Sequence, residues 1–171
     1  AGYTEEEIVY QNDGKTIKHI KILDSKTKKE IKRIVYRLNG ISIYYINEYT
    51  SEGIIIKITY YYDNGKEISS IDEFNPEGKP IKTTYYQYDG KTISSIDEYN
   101  PEGIKIIKKT YYNRDGTIKE VKYLKDNIER KNEVVKLTTE KKIVYHPDGK
   151  TIYYIQEFNP EGKIIKVIYY Q

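Results

Sequence analysis

Apolar and polar residues alternate along the chain in short stretches such as IKITYYY at 56–62 and ISSIDEY at 93–99. The stretches are rich in Ile, Tyr and Val, residues that favour extended backbone over helix. Alternation with a period of two over so short a run is typical of a β-strand with one face more apolar than the other. The pattern therefore predicts strands throughout.

Glycine separates these stretches at regular intervals. An Asp-Gly or Asn-Gly dipeptide recurs with successive spacings of 26, 25, 25, 26 and 33 residues, its glycines being Gly14, Gly40, Gly65, Gly90, Gly116 and Gly149. Such dipeptides between β-formers predict two-residue type I′ hairpin turns. In four of the six units a second glycine follows 13 residues later, at Gly53, Gly78, Gly103 and Gly162. Three of these four end an Asn-Pro-Glu-Gly sequence, which predicts a type I turn with a bulge.

Repetition of strand, turn, strand, turn predicts an all-β fold. We expect an antiparallel β-hairpin repeat array of about six hairpins and about twelve strands, forming an elongated or coiled meander. Its units are residues 8–33, 34–58, 59–83, 84–109, 110–142 and 143–171. The first unit has LDSKTKKE at 23–30 in place of the second turn. The fifth is irregular because residues 124–142 are compatible with a longer hairpin, a short helix or a hinge.

The cross-strand register is predicted by placing apolar residues opposite apolar residues and acidic residues opposite basic ones. Folding the chain about the second turns places Tyr45 opposite Tyr60 and Glu48 opposite Lys57, with Tyr49 facing Ile56. The same rule places Tyr154 opposite Tyr169, Glu157 opposite Lys166 and Phe158 opposite Ile165. Each apolar or oppositely charged pair contributes roughly 0.2–1 kcal/mol.

Charge and composition narrow the function. The 29 Lys and Arg against 26 Asp and Glu give a net charge of only +3, spread along the chain, which argues against a duplex nucleic-acid partner. The longest apolar run, Ile54–Ile56, is too short to span a membrane. The chain opens on AGYTEEE rather than Met, as after removal of a signal peptide or behind a cloning scar, and we expect a secreted protein.

Residues for catalysis are scarce. The two histidines, His19 and His146, lack a nucleophile or repeated partner, and His146 is predicted to be an exposed turn residue. Asp72-Glu73 and Asp97-Glu98 alternate faces in a strand, so their carboxylates are expected to pair with Lys82 and Lys108 across strands. Neither a calcium loop nor a phosphate loop is present, so no cofactor or metal is expected.

Tyrosine is the residue type that suggests a binding surface. Pairs recur at the repeat period, and stacked hairpins are expected to align them into ladders on both faces. Rigid aromatic rings give a large contact area at small entropic cost, although they also simply cover a thin sheet. The candidate partner-binding residues are Tyr60, Tyr61, Tyr85, Tyr86, Tyr111, Tyr112, Tyr153, Tyr154, Tyr169 and Tyr170.

The unit YYQYDGKTISSIDEYNPEG, with IIKVIYY at its C-terminal end, resembles tandem repeats of unknown function from phytoplasmas, wall-less bacteria that infect plants. The hairpin length and the YY…DGK pattern also look like divergent MORN-type repeats. The phytoplasma resemblance implies secretion into a host cell and binding of host proteins, and neither resemblance supplies catalytic residues.

Three binding functions fit the sequence, and each is favoured over enzymatic activity. A non-enzymatic scaffold for a protein partner is favoured, with a host protein among the expected partners. A carbohydrate or cell-surface module using tyrosine ladders is the alternative. Single-stranded nucleic-acid binding fits the residue types but not the balanced charge. The sequence leaves the oligomeric state open.

Overall fold

Every described element is a β-strand, and each pairs antiparallel with its chain neighbour within two structural units. The computed structural model describes residues 3–125 and 139–170, and the units are Ala1–Lys91 and Thr92–Gln171. The first unit contains β1 (Thr4–Tyr10), β2 (Ile17–Asp24), β3 (Glu30–Tyr36), β4 (Ile43–Tyr49), β5 (Ile55–Tyr61), β6 (Ile68–Phe74) and β7 (Pro80–Tyr86). The second contains β8 (Ile93–Tyr99), β9 (Ile106–Tyr112), β10 (Ile118–Leu124), β11 (Thr139–Tyr145), β12 (Ile152–Phe158) and β13 (Ile164–Tyr169).

The fold class predicted from the sequence, an all-β antiparallel hairpin repeat array, is confirmed. The described residues contain thirteen strands rather than about twelve. The additional strand is β1, TEEEIVY, whose three consecutive glutamates obscure the alternation that identified the others. The irregular segment predicted at 124–142 lies mostly outside the described residues, but β10 and β11 on either side of it pair directly, with Val121 opposite Ile143.

The predicted register is confirmed along the strands and wrong beside the turns. Tyr45 faces Tyr60 and Glu48 faces Lys57, while Tyr154 faces Tyr169 and Glu157 faces Lys166. Tyr49, however, faces Ile55 rather than Ile56, and Phe158 faces Ile164 rather than Ile165. A β-bulge near the start of the second strand inserts one unpaired residue, which shifts the pairing next to the turn without changing the rest of the hairpin.

The turn type predicted for Asn-Pro-Glu-Gly is confirmed, whereas the type predicted for Asp-Gly is wrong. At Asn75 the amide donates to the Lys79 carbonyl and the Gly78 amide to the Asn75 carbonyl, with Gly78 at φ 84°. This pattern is the predicted type I turn followed by a bulge glycine. The type I′ prediction for Asp-Gly is wrong, because such a turn needs positive φ at both central residues and Lys28 is the only described non-glycine with positive φ.

The Asp or Asn before glycine has a different role. Asp13 Oδ1 accepts hydrogen bonds from the backbone amides of Lys15 and Thr16, both at 2.9 Å, and Asn39 and Asp148 bind the corresponding amides of their turns. The side chain mimics a backbone turn, and this alternative replaces the left-handed conformation that type I′ requires.

Each 26-residue glycine spacing contains a second turn that is one residue longer than the regular one. In the regular second turn at Asn75 the closing hydrogen bond spans four residues, to Lys79, whereas those at Asp24 and Asn100 span five, to Lys29 and Lys105. Strand lengths stay constant at about seven residues. At these two 26-residue spacings the extra residue therefore lies in a turn, and the neighbouring strands keep their register.

On one face, a row of side chains near the strand centres is buried or half-buried, and Thr83 and Asp97 are buried on the opposite face, at 6% and 8% exposed. In the first unit this row runs Ile46, Thr59, Ile71 and Thr84, with Thr59 and Thr84 only 7% and 5% exposed. In the second it includes Thr110, Val121 and Ile155. We name this the threonine face. The larger side chains of flanking rows, Tyr at one side and Lys or Glu at the other, cover it.

Candidate functional site

The candidate tyrosines of the first unit lie on both faces. Register places Tyr45, Tyr60, Ser70 and Tyr85 in one row across β4 to β7. We name the face that carries this row the tyrosine face. Because successive residues of a strand point to opposite sides, Tyr61 and Tyr86 lie on the threonine face. The predicted continuous ladder is interrupted in this unit, since Ser70 separates Tyr60 from Tyr85.

Three tyrosines pack together where the row is continuous. Tyr44 is the unpaired bulge residue next to Tyr45, and its ring centroid lies 5.1 Å from that of Tyr45 and 6.4 Å from that of Tyr60. The Tyr45 and Tyr60 centroids are 5.7 Å apart. The Arg37 guanidinium lies 4.6 Å from the Tyr44 centroid, a favourable cation–π geometry. We call these four residues the Arg37 cluster.

The second unit contains an equivalent arrangement. Tyr153 is the bulge residue, with its centroid 5.2 Å from Tyr154 and 6.1 Å from Tyr169. The His146 ring stacks on Tyr153 at 4.8 Å and 13°. We call this group the His146 cluster. His146 is thus part of an aromatic stack and half-buried, not the exposed turn residue predicted from the sequence.

The remaining candidates of the second unit lie apart from that cluster. Tyr111 shares the row with Tyr154 but is separated from it by Glu120 and Val144. The Lys122 ammonium lies 5.4 Å from the Tyr111 centroid. Tyr112 faces Ile118 in a different row, and the Tyr170 amide donates to the Tyr153 carbonyl at 2.8 Å.

Sequence reasoning missed the bulges that organise both clusters. A bulge places two successive side chains on the same side of the sheet. Tyr44 and Tyr153 therefore lie on the same face as Tyr45 and Tyr154, whereas strict alternation would place them on the opposite face. Arg37 and His146 both directly follow the last tyrosine of a strand. That shared position before the Asn-Gly or Asp-Gly dipeptide was the signal that could have found them.

The acidic residues of β6 separate onto two faces. Glu73 pairs with Lys82 at 3.5 Å and Glu98 with Lys108 at 3.7 Å, as predicted. Asp72 instead lies on the tyrosine face between Ile58 and Thr83, where the Thr83 hydroxyl donates to Oδ1 at 2.7 Å. Burial, and then the charge of Asp72, raise the pKa of Tyr60. Asp72 faces Ile58, which is two residues before Tyr60 and therefore on the same face of the sheet.

The equivalent carboxylate of the second unit already faces a cation. Asp97 is 8% exposed and stands opposite Lys109. Burial raises the pKa of Asp97, and the positive charge of Lys109 acts in the opposite direction. Lys109 occupies the position that Thr83 has in the first unit.

His19 lies in the row of Val9 and Val35. Burial lowers its pKa, and the neighbouring charges of Arg33, Lys21 and Lys18 lower it further. The imidazole is therefore neutral at pH 7.

The described part of the chain contains neither a candidate metal-ligand cluster nor a helix suited to span a membrane. Within residues 3–125 and 139–170, no three His, Asp or Glu side chains are placed to hold a metal ion. Those same residues form no helix with the length and apolarity needed to cross a bilayer.

Comparison with known proteins identifies a family but no activity. No curated protein is significantly similar in sequence. Solved structures to which the chain is similar include the GtfA/B complex bound to UDP and GlcNAc (12% identity, 68% of this chain, 23% of that chain, TM-score 0.47). Others are the Gap123 glycosylation-associated complex of Streptococcus agalactiae (17%, 77%, 20%, 0.39) and the TcdB2-TccC3-Cdc42 complex (14%, 96%, 8%, 0.30).

At these TM-scores the likenesses carry no functional argument, and the chain spans less than a quarter of each of those proteins. The protein family of unknown function DUF2963 matches residues 10–60, 61–111 and 138–171. Each of the first two matches spans two successive hairpins, and the three together cover most of the sequence. The chain therefore belongs to the DUF2963 family.

Proposed function

We propose that this protein is a non-enzymatic repeat scaffold that binds a protein partner through the tyrosine face. The observation that carries the proposal is the occurrence of equivalent aromatic groups in both units, the Arg37 cluster and the His146 cluster. Tyr44 and Tyr153 remain 44% and 45% exposed, although their rings contact two other tyrosines each. Exposed, mutually braced tyrosines lose little conformational entropy on binding.

The repeats vary where the clusters form. The bulge residue and its successor are Tyr44-Tyr45 and Tyr153-Tyr154 in these hairpins but Ser69-Ser70 and Lys119-Glu120 in others. The central row of the threonine face keeps Ile, Val or Thr around them. Variation at this exposed position supports a role in recognition, because packing alone places no such demand on an exposed site.

The resemblance to phytoplasma repeat proteins extends the proposal to a biological setting. We infer a secreted bacterial effector with MORN-like hairpins whose partner is a host protein. The tyrosine face supports this only in its chemistry, since aromatic anchors surrounded by polar side chains are enriched in protein interfaces.

The test compares capture by the wild-type protein and by cluster variants. Immobilised protein is exposed to plant-cell extract, and bound proteins are cross-linked and identified. Replacing Tyr44, Tyr45, Tyr153 and Tyr154 with Ser is expected to abolish the specific capture while preserving the fold, because Ser69-Ser70 occupies the same position in another hairpin. Tyr123→Ser on the threonine face is the matched control. Equal capture by both variants would contradict the proposal.

A second candidate function is carbohydrate binding at the turns of the first unit. Tyr62 and Tyr88 stack at 4.4 Å and 10°, and Tyr88 is 80% exposed, so one ring face of the stack is open to a sugar. Binding on a glycan array that is lost in Tyr88→Ser but kept in the four-serine variant would favour this function over the first.

A further inference from the structure

We propose that the slot between Tyr60 and Tyr85 in the first unit binds a basic side chain, lysine or arginine, presented by a protein partner. The inference rests on the proposed function and specifies the chemistry of the partner. Its parts are two aromatic walls, a small residue between them and a carboxylate at one end.

The walls are set by register. Tyr60, Ser70 and Tyr85 lie side by side on β5, β6 and β7, so the two tyrosines are two strand spacings apart, roughly 9.6 Å. Ser70 is too small to fill the space between two phenol rings. A cation lying midway is within the approximately 6 Å of a ring centroid at which cation–π attraction is significant.

The carboxylate is supplied by Asp72, two residues after Ser70 and therefore on the same face. Its direct neighbours, Ile58 and Thr83, carry no charge. Thr83 donates to Oδ1. Across residues 3–125 and 139–170, no cationic side chain forms an ion pair with Asp72, whereas Glu48, Glu73 and Glu98 each have a lysine partner.

The second unit indicates what the site accepts. There Asp97 occupies the position of Asp72, and Lys109, in the position of Thr83, provides the opposing cation from within the chain. The repeat is thus compatible with an ammonium group beside this carboxylate. In the first unit Thr83, only 6% exposed, stands in place of that lysine, so the paired strand supplies Asp72 with a hydroxyl donor instead of a cation.

The probe is an acetylated, amidated Gly-Gly-Lys-Gly-Gly peptide, with a norleucine peptide as the uncharged control. Binding is followed by ¹⁵N chemical shifts of the full chain. We expect the lysine peptide to shift the amides of residues 70–72 and 83–85 with a Kd of about 1 mM. The norleucine peptide is expected to bind at least tenfold more weakly.

Two variants test the carboxylate. Asp72→Asn retains an acceptor for the Thr83 hydroxyl and is expected to weaken lysine-peptide binding at least tenfold. Thr83→Lys places an internal ammonium beside Asp72, as Lys109 does at Asp97, and is expected to abolish binding. Asp97→Asn is the matched control and should leave the affinity unchanged. Thermal unfolding of each variant verifies that the fold is intact.

Either of two results overturns the proposal: equal binding of the lysine and norleucine peptides, or undiminished binding to Asp72→Asn. These outcomes are distinct from failure of the proposed function. If the peptide does not bind but the four-serine variant still loses its captured protein, the scaffold function stands and the slot is not its cation site. If neither protein capture nor peptide binding depends on these residues, both proposals fail.

Discussion

Gly65 shows why the glycine of the Asn-Gly turn is required on two independent grounds. Its φ of 69° is one that residues with a side chain adopt at a cost of about 1–2 kcal/mol. A Cβ there would also lie 2.6 Å from the Ile43 amide nitrogen and 2.8 Å from the Ser42 Cα, atoms of the preceding hairpin. Backbone conformation and repeat stacking thus both select glycine.

Substitution by alanine separates the two contributions. Gly14 has the same φ of 69°, but a Cβ at this position would have no neighbour within 4 Å, so Gly14→Ala is expected to lower the free energy of unfolding by about 1 kcal/mol. Gly65→Ala adds steric overlap with rigid backbone and is expected to cost about 3 kcal/mol. Urea unfolding measures both. Gly53→Ala, inside the same unit and also without close neighbours, controls for position, and equal losses at Gly53 and Gly65 would rule out the stacking contribution.

Asp148 makes a pH-dependent contribution to the stability of the folded protein. Its carboxylate accepts hydrogen bonds from the Thr151 hydroxyl at 2.6 Å and from the Thr151 and Lys150 amides at 2.9 and 2.8 Å. These bonds lower the pKa of Asp148 to about 2. A carboxylate with a lowered folded-state pKa stabilises the protein above its unfolded pKa near 3.8, and this stabilisation disappears as the pH falls to about 2.

Asp148→Asn is the corresponding variant, because Asn39 and Asn64 hold equivalent turns with an amide oxygen. We expect the wild-type protein to have the higher urea midpoint at pH 5 and above, and the difference from the variant to vanish near pH 2. A difference that stays constant between pH 6 and pH 2 would show that the turn does not depend on the charge.

At the scale of the strand, alternating charges align the hairpins. Lys32, Glu48, Lys57, Glu73 and Lys82 lie opposite one another in a single row of the threonine face. Each exposed pair contributes little, about 0.2–1 kcal/mol. A register shift of one residue, however, breaks all of these pairs together and moves the buried row to the other face.

Charge reversal at the middle of this row tests its contribution. Glu73→Lys places a third lysine between Lys57 and Lys82, so two attractive pairs become repulsive. We expect a loss of about 1 kcal/mol in the free energy of unfolding at low salt, reduced in 1 M NaCl because exposed charges are screened. Glu73→Gln, which removes attraction without adding repulsion, should cost less and depend less on salt. A loss independent of salt would point to packing rather than charge.

These rows explain how far the sequence alone predicts the structure. The glycine period and the matching of Glu48 with Lys57 are properties of neighbouring hairpins, so strand order and register could be derived from them. Turn type was mispredicted at Asp13 because the side-chain hydrogen bonds of Asp compete with the dipeptide preference for type I′. The bulges within the strands were missed because an unpaired residue leaves no signal in an alternating pattern.

The candidate site was predictable only in part for the same reason. The tyrosines are visible as a repeated residue type, and all ten candidates belong to strands or strand ends. Their grouping depends on the bulges at Tyr44 and Tyr153 and on which small residue separates them. The slot of Ser70 and Asp72 involves three strands, and no local stretch of sequence contains both of its walls.

At the scale of the repeat array, whole hairpins are interchangeable because strand length and register repeat from one hairpin to the next. The DUF2963 matches at 10–60 and 61–111 meet between Tyr60 and Tyr61, inside a strand rather than at a turn. The repeating unit is therefore defined by its period and not by a boundary between folded pieces. In such arrays, stability depends on each hairpin and its contacts with its nearest neighbours.

Removing one complete period tests this description. Deletion of residues 37–61, one 25-residue period, joins Tyr36 to Tyr62 within the first unit. In the shortened chain Tyr36 takes the place of Tyr61, so Ile34 faces Ile71 and Lys32 faces Glu73, pairs of the kind that the intact array contains. We expect the deletion variant to unfold cooperatively in urea, with a smaller m-value because less surface is exposed on unfolding.

Deletion of residues 37–60, one residue less, is the matched control. It retains Tyr61 after Tyr36, which shifts the register by one and sets Ile34 opposite Asp72 and Arg33 opposite Glu73. The apolar row of β3 then meets the polar row of β6, because a shift of one residue exchanges the two faces. We expect this variant to lose several kcal/mol of stability and to show a weaker β-sheet signal by far-ultraviolet circular dichroism. Equal stability of the two deletion variants would mean that the strands slide freely, and that the period is not what aligns the hairpins.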